Sequence, residues 1–567
     1  MSSVFSVPLW VKFSLMAIIK LANGTVHDPA NGVDGEARDI WIANGKIVAP
    51  PTDPDVVVER VYDLTGLVVM PGGVDMHAHI AGPKVNVARK LRPEDRRDNA
   101  PFRRTNLLRS GTLGSTPSTF ATGYLYAGLG YTTVFDAAIP PLGARHTHEE
   151  FHDTPVIDKG FFVLVGNNHY VMDQLGKGEF DRVRAYCGWL LHATRGYALK
   201  VVNPGGVEVW KQGGNGLTGF EDVVPGFGVS PRQIVTGIAR IADELKLPHS
   251  AHIHCNQLGM PGNWTTTLAT MQATEGHRAH FTHIQFHSYG GGPDDQEGFH
   301  SKVPELAEWV NGHLNTTVDV GQVMFGDTTS MTGDGPLGHF LHRVTGRKWF
   351  NGDTECEGGC GIVPIEYKEK SFVHALQWAI GLEWYLLVRD PWRVVMSTDH
   401  PNGGSFLAYP EICALLMSRD YRREVLKRVP ARLKDKCTLP DLEREYTLQE
   451  IAIITRAGPA RILGLRDKGH LGIGADGDVT VYTPSADLKA MFELPRFVFK
   501  AGKLVVEHGE IRLAPFGPSL VTRPHYDTGV VPHIRAWFEG AYSLGFENYS
   551  VGEEYLPHGE TVVPGRE

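Results

Sequence analysis

The stretch Pro71-Gly-Gly-Val-Asp-Met-His77-Ala-His79-Ile80 closes an apolar run with two histidines two residues apart. Side chains alternate between the faces of a β-strand, so His77 and His79 point the same way and can grip one metal ion together. So short a motif also arises on ordinary half-exposed strands. Its meaning depends on whether other strand ends supply matching ligands.

Outward from it, the chain between residues 70 and 459 carries short β-branched apolar runs separated by helical stretches such as 231–246 and 374–389. That texture belongs to βα repeats around a parallel sheet buried on both faces. Eight candidate strands lie at 73–77, 132–137, 161–165, 197–202, 249–254, 279–284, 317–320 and 394–397. They predict an α/β fold, a (β/α)8 TIM barrel over residues 71–459, with its active site at the C-terminal ends of the strands.

Both flanks look different. Residues 16–70 alternate short strands with turns, and 460–515 have the same texture, including Gly469-His-Leu-Gly-Ile-Gly-Ala-Asp-Gly-Asp-Val-Thr-Val-Tyr482. Neither half has strands enough to close a core alone, so the two ends are expected to form one small composite β-sandwich. Residues 1–15 form an apolar extension with neither the flanks of a signal peptide nor the length of a membrane span. Residues 516–567, rich in Pro, Gly, His and Glu, read as a surface tail that could dock another subunit.

The 567 residues carry 55 basic and 64 acidic side chains, a formal charge of −9, which gives no basic footprint for nucleic acid. No membrane partner is expected. Six cysteines in so long a chain do not make a disulfide framework, and a cytoplasmic location is the simpler reading. Cys356 and Cys360, with no second pair nearby, read as free thiols rather than a zinc knuckle.

The strand ends complete the pattern. Lys200 stands between apolar neighbours in strand four, where a charged ammonium is costly and burial lowers the amine's pKa. A neutral amine can add carbon dioxide and become a two-oxygen carbamate able to bridge two metal ions. Strand five ends in His252-Ile-His254, strand six carries His280 and His283, and strand eight ends in Ser-Thr-Asp399. Each residue alone has an ordinary alternative: a snorkelling lysine, a hydrogen-bonded core histidine, a helix cap. His77, His79, Lys200, His252, His283 and Asp399, from five strand ends, form a set that independent coincidences do not readily give.

This set, with the terminal Gly-His-Leu-Gly-Ile-Gly-Ala-Asp-Gly-Asp-Val, resembles the amidohydrolase superfamily with a binuclear metal centre. Longer segments at 80–95, 144–155, 200–204, 247–256 and 283–290 are similar to the A subunits of formylmethanofuran dehydrogenases and of the bacterial formyltransferase/hydrolase complexes. The resemblance implies two zinc ions (Zn2+). His77, His79 and Asp399 would hold one ion, N6-carboxylated Lys200 would bridge, and His252 and His283 would hold the other. Asp399 would act as general base and acid, with His254 near the reacting formyl group. The substrate would be a formylated methanofuran-type amine cofactor, hydrolysed to formate and free amine. The partners would be the other subunits of a heteromeric complex, a formyltransferase among them. The resemblance assigns no role to Lys84, Asn86, Arg89, His146, His148 and His152. The alternatives are a formylmethanofuran dehydrogenase subunit working toward formylation, a dihydropyrimidinase-like amidohydrolase, and a metal-free scaffold subunit.

Overall fold

The computed structural model describes residues 18–53, 56–94, 114–214, 219–292, 298–352 and 360–566. All eight expected runs form strands: β1 (Gly73–Ala78), β2 (Tyr131–Ile139), β3 (Asp158–Leu164), β4 (Ala198–Val202), β5 (Ala251–His254), β6 (Ala279–Phe281), β7 (Thr316–Asp319) and β8 (Val394–Val395). Each pairs in parallel with the next, from β1 through β8. The ring closes beyond the strand ends, where Ala78 bridges to His400 and the His79 amide donates to the His400 carbonyl at 2.6 Å. Nearly every strand residue is buried, as a parallel sheet covered by helices requires.

The helices start where the sequence provides caps. Helix Pro231–Glu244 opens on a capping box between Ser230 and Gln233, with proline in its first turn, and helix Phe372–Leu387 opens on the Ser371 side chain. Among the described residues no helix is long and apolar enough to cross a membrane.

The flanking strands join into one nine-stranded sheet. Val68–Pro71, leading into the barrel, lies antiparallel to Val479–Tyr482, leading out of it, so both ends of the chain share one sheet. Leu21, Val26, Ile40, Val69, Val481 and Phe499 form part of its core.

The last fifty residues pack more closely than their composition suggested. Ser519–Val521 adds in parallel beside β3, Glu560–Val562 pairs with it, and Trp189 of the barrel stacks on Phe546 at 5.1 Å. Helix Val531–Ala541 buries Ile534 and Phe538. Aromatic residues scattered among Pro, Gly and Glu anchor this segment to the barrel instead of leaving it as a free tail.

Candidate metal centre

His77 and His79 point to one side as the alternation requires. Their Nε2 atoms lie 3.0 and 3.1 Å from the same atom, Asp399 Oδ1. His77 is fixed from below by Asp75, whose Oδ1 accepts the His77 amide at 3.0 Å while Oδ2 accepts the hydroxyls of Tyr126 (2.8 Å) and Tyr409 (2.5 Å). His79 is steadied by Asp136, 3.6 Å from its Nδ1, and Asp136 also accepts the amides of Ile80 and Ala81. All of these groups are buried.

On the opposite wall, Lys200 of β4 is register partner to His252 of β5. Its Nζ is buried and has no hydrogen-bond partner among the described residues. Burial pulls the Lys200 ammonium down to about 7, and the carboxylates of Asp319 and Asp399 only partly oppose this. Two residues further along β5, His254 reaches a second group. Its ring lies 4.6 Å from that of His283 and 5.2 Å from that of His287, and one nitrogen from each of the three can meet within 4.8 Å. Among the described residues neither nitrogen of His254 or of His287 has a hydrogen-bond partner, nor has Nδ1 of His283.

His252 sits differently. Its Nε2 lies 2.9 Å from His77 Nδ1 and its Nδ1 lies 3.0 Å from His249 Nε2, so both nitrogens are occupied beneath the site. The structure therefore gathers His77, His79 and Asp399 into one group and His254 with His283 into another. His252 lies below them, in a third group in which it, His77 and Asp319 can bring one atom each within 4.8 Å of one another.

Three residues at the mouth, Asn203, His283 and Asp399, have left-handed backbone, with φ of 40°, 35° and 51°. Strain of that kind persists where the surroundings over-determine it, and functional sites concentrate it. Around the mouth Asn203 Nδ2 donates to Asp334 Oδ1 (3.1 Å), Asn256 Nδ2 donates to Asn203 Oδ1 (2.9 Å), and Asp334 Oδ2 stands 3.4 Å from His254 Nε2.

The donors fit the implied metal. Imidazole and carboxylate suit zinc, and Lys200 Nζ, Asp399 Oδ2, both His254 nitrogens and His283 Nδ1, buried and unpartnered among the described residues, are atoms that protein structures otherwise satisfy. A second acidic group, Asp158, Asp476 and Asp478, is already paired with Lys468 and Lys500.

Several residues here stand outside the expected set. Asp319, at the end of β7, meets His280 Nε2 at 3.0 Å and His77 Nδ1 at 3.4 Å. Its place at a strand end was the available signal. His287 and Asp334 come from segments after β6 and β7 whose path over the mouth no periodicity reveals. The segments carrying the unassigned residues are tied together: Arg89 donates to Glu150 at 2.9 Å and to the Pro117 carbonyl, Glu150 accepts the Gly82 amide, and Asn86 lies 3.4 Å from His146. His148 is buried against the Thr194 carbonyl at 3.1 Å, and the His152 ring packs on His558. Lys84 is buried and adds positive potential at Asp136 and Lys200. Cys187, Cys255, Cys413 and Cys437 are free thiols; Cys356, and with it the Cys356/Cys360 pair, lies outside the described residues.

The chain belongs to the amidohydrolase family, whose model matches residues 60–506. More particularly, it is 44% identical over 558 residues to protein FwdA of Methanocaldococcus jannaschii, covering 94% of this chain and 97% of that one. It is 37% identical over 555 residues to the A subunit of the formyltransferase/hydrolase complex Fhc of Methylorubrum extorquens, covering 95% and 97%. It also matches a chain of the crystallised formyltransferase/hydrolase complex FhcABCD of that organism, determined in complex with methylofuran. The TM-score there is 0.90 at 36% identity, over 96% of this chain and 100% of that one. An N-acyl-D-glutamate deacylase of Bordetella bronchiseptica, at a TM-score of 0.50 and 14% identity, shares the fold.

Proposed function

We propose that this chain is the hydrolytic A subunit of a formyltransferase/hydrolase assembly. It cleaves the N-formyl group of a methanofuran-type amine cofactor to formate and free amine, with two zinc ions and a carboxylated Lys200. The observation that carries this reading is the match, at a TM-score of 0.90 over 96% of the chain, to a complex determined with methylofuran. The convergence of His77, His79, Lys200, His254, His283 and Asp399 at one mouth supports it.

Two divalent ions bound there would supply a water acidic enough to ionise near neutral pH and a Lewis acid for the formyl carbonyl. The residues supply the rest. His77, His79 and Asp399 would hold one ion, and Lys200, once carboxylated, would add an anionic oxygen ligand beside them. In the second group we place His254 beside His283 instead of His252, because His252 has no free nitrogen. Asp399 keeps Oδ2 free to take a proton from the attacking water and return it to the leaving amine. Burial opposes ionisation of Asp399, but His77 and His283 outweigh it and hold the carboxyl well below the usual range, so the base is ready unprotonated. Asn256 holds Asn203, and Asn203 holds Asp334, at the entrance, with Asp334 Oδ2 3.4 Å from His254 Nε2.

The test uses the purified assembly: formate and free amine are measured after adding the formylated cofactor, alongside zinc per chain. Stoichiometric formate release by the zinc-loaded protein is expected. Full zinc occupancy with no formate release would reject the reading. The similarity to formylmethanofuran dehydrogenase A subunits favours one second reading, the same site run toward formylation, for which formate and free amine added at high concentration would yield the formamide.

A further inference from the structure

Beneath the ligand groups three imidazoles form a continuous chain. The His249 Nδ1 atom lies 3.1 Å from the carbonyl of Ile462, its Nε2 lies 3.0 Å from His252 Nδ1, and His252 Nε2 lies 2.9 Å from His77 Nδ1. All three rings are buried. The Ile462 carbonyl belongs to helix Gly458–Leu463 and can only accept. The proton on His249 therefore sits on Nδ1, which leaves Nε2 as an acceptor in the neutral ring. His252 must then carry its proton on Nδ1 and offer Nε2 as acceptor. His77 in turn donates from Nδ1, and its lone pair is left on Nε2, the nitrogen facing Asp399.

The other end of the chain agrees. Asp319 Oδ2, also an acceptor, lies 3.4 Å from His77 Nδ1 and is itself held at 3.0 Å by His280 Nε2, while His280 Nδ1 contacts the Thr317 hydroxyl at 2.8 Å. The hydroxyl of Thr282 also contacts His77 Nδ1 and can accept from it. Each of these three neighbours of that nitrogen is thus able to take its proton.

We infer that His249 and His252 are positioning residues: a one-way hydrogen-bond chain, set by the Ile462 carbonyl, locks His77 in the tautomer whose Nε2 is free to bind metal. The hydrogen bond made by the far nitrogen decides which nitrogen of a histidine is metallated. Here that bond runs through two further imidazoles to the backbone at the foot of the barrel. This rests on the reading of His77 as a ligand, and the experiment separates the two.

Protein labelled with 15N-histidine is studied metal-free and zinc-loaded, and two-bond 1H–15N correlations report the tautomer of each ring. Resonances are assigned with His249→Phe, His249→Gln and His252→Gln. His249 and His252 are expected in the Nδ1–H form in both states and His77 in that form when zinc-loaded, with zinc shifting its Nε2. An Nε2–H tautomer at His249 or His252 would overturn the chain. Intact Nδ1–H tautomers with no zinc shift at His77 would instead reject the ligand reading. Chelator competition supplies a second readout. His249→Phe should lose one zinc about 10–100-fold more readily, the range for removing a partner that orients a ligand, and His249→Gln, which keeps an acceptor, should recover most of it. Wild-type retention by His249→Phe would count against the inference, as would loss of one ion from His252→Gln alone, which would make His252 itself a ligand.

Discussion

Lys200 and His252 are register partners on adjacent strands, yet among the described residues the lysine's Nζ has no hydrogen-bond partner while both nitrogens of the histidine have one. The lysine thus presents an unshared amine, while the nitrogens of the histidine face His77 and His249. This asymmetry separates the two proposed metal positions.

The first concerns the bridge. With the Lys200 amine at about 7, the neutral form that adds carbon dioxide dominates above that pH and the ammonium below it. Reactivation of metal-free protein by bicarbonate and zinc should rise with pH up to about 7 and then level off, whereas an ordinary lysine, near 10.4, would keep rising. Lys200→Ala should hold neither ion under any of these conditions. Retention of two zinc ions by that variant would remove the carbamate.

The second position turns on His254. His254→Ala should drop the zinc content from two ions to one, and His283→Ala should do the same, because each removes a member of the same group. Zinc analysis of the folded variants reads this directly. Two ions retained in His254→Ala would return the ligand role to another side chain.

The barrel was legible because strands buried on two faces read as unbroken apolar runs, so even the two-residue β8 announced itself. His77, His79, Lys200 and Asp399 were legible because a polar residue at the end of such a run has few other reasons to be there. The choice between His252 and His254 was not. Alternation puts both on one face, and only their depth along β5, set by packing against His77 and His249, separates them. Asp334 was out of reach for a different reason: it caps helix Gly335–Thr345, and its approach to His254 is tertiary. The closing segment misled because its composition is that of a loop while Trp537, Phe538, Phe546 and Tyr549 do the packing.

Proton transfer gives a separate prediction. Asp399→Asn keeps one side-chain oxygen toward His77 and His79 but cannot accept the proton, so zinc should stay near two per chain while turnover falls about 10²–10⁴-fold, the range for loss of a general base. An asparagine variant with near-normal turnover would take Asp399 out of the proton-transfer role.

The junction between barrel and sheet should be sensitive to one carboxylate. Asp158, which opens β3, accepts from both Lys468 and Lys500, and Lys500 sits 2.7 Å from Asp158 and 2.7 Å from Asp478. All four are buried, so Asp158→Ala strands two ammonium groups short of a partner and should cost about 3–5 kcal/mol. A lowered denaturant midpoint at unchanged slope would show it, and a shift of a few tenths of a kcal/mol would mean that solvent replaces the lost charge. Acid should expose the same network. Burial opposes ionisation of Asp478, but Lys500 and Lys468 outweigh it and depress its carboxyl to about 2. A carboxyl depressed on folding stabilises above its unfolded value, near 3.9, and that contribution is lost as pH falls through the folded one. The stability gap between wild type and Asp478→Asn should therefore be constant above pH about 5 and close between about 4 and 2; a gap that persists at pH about 2 would show that Asp478 acts by packing and not by charge.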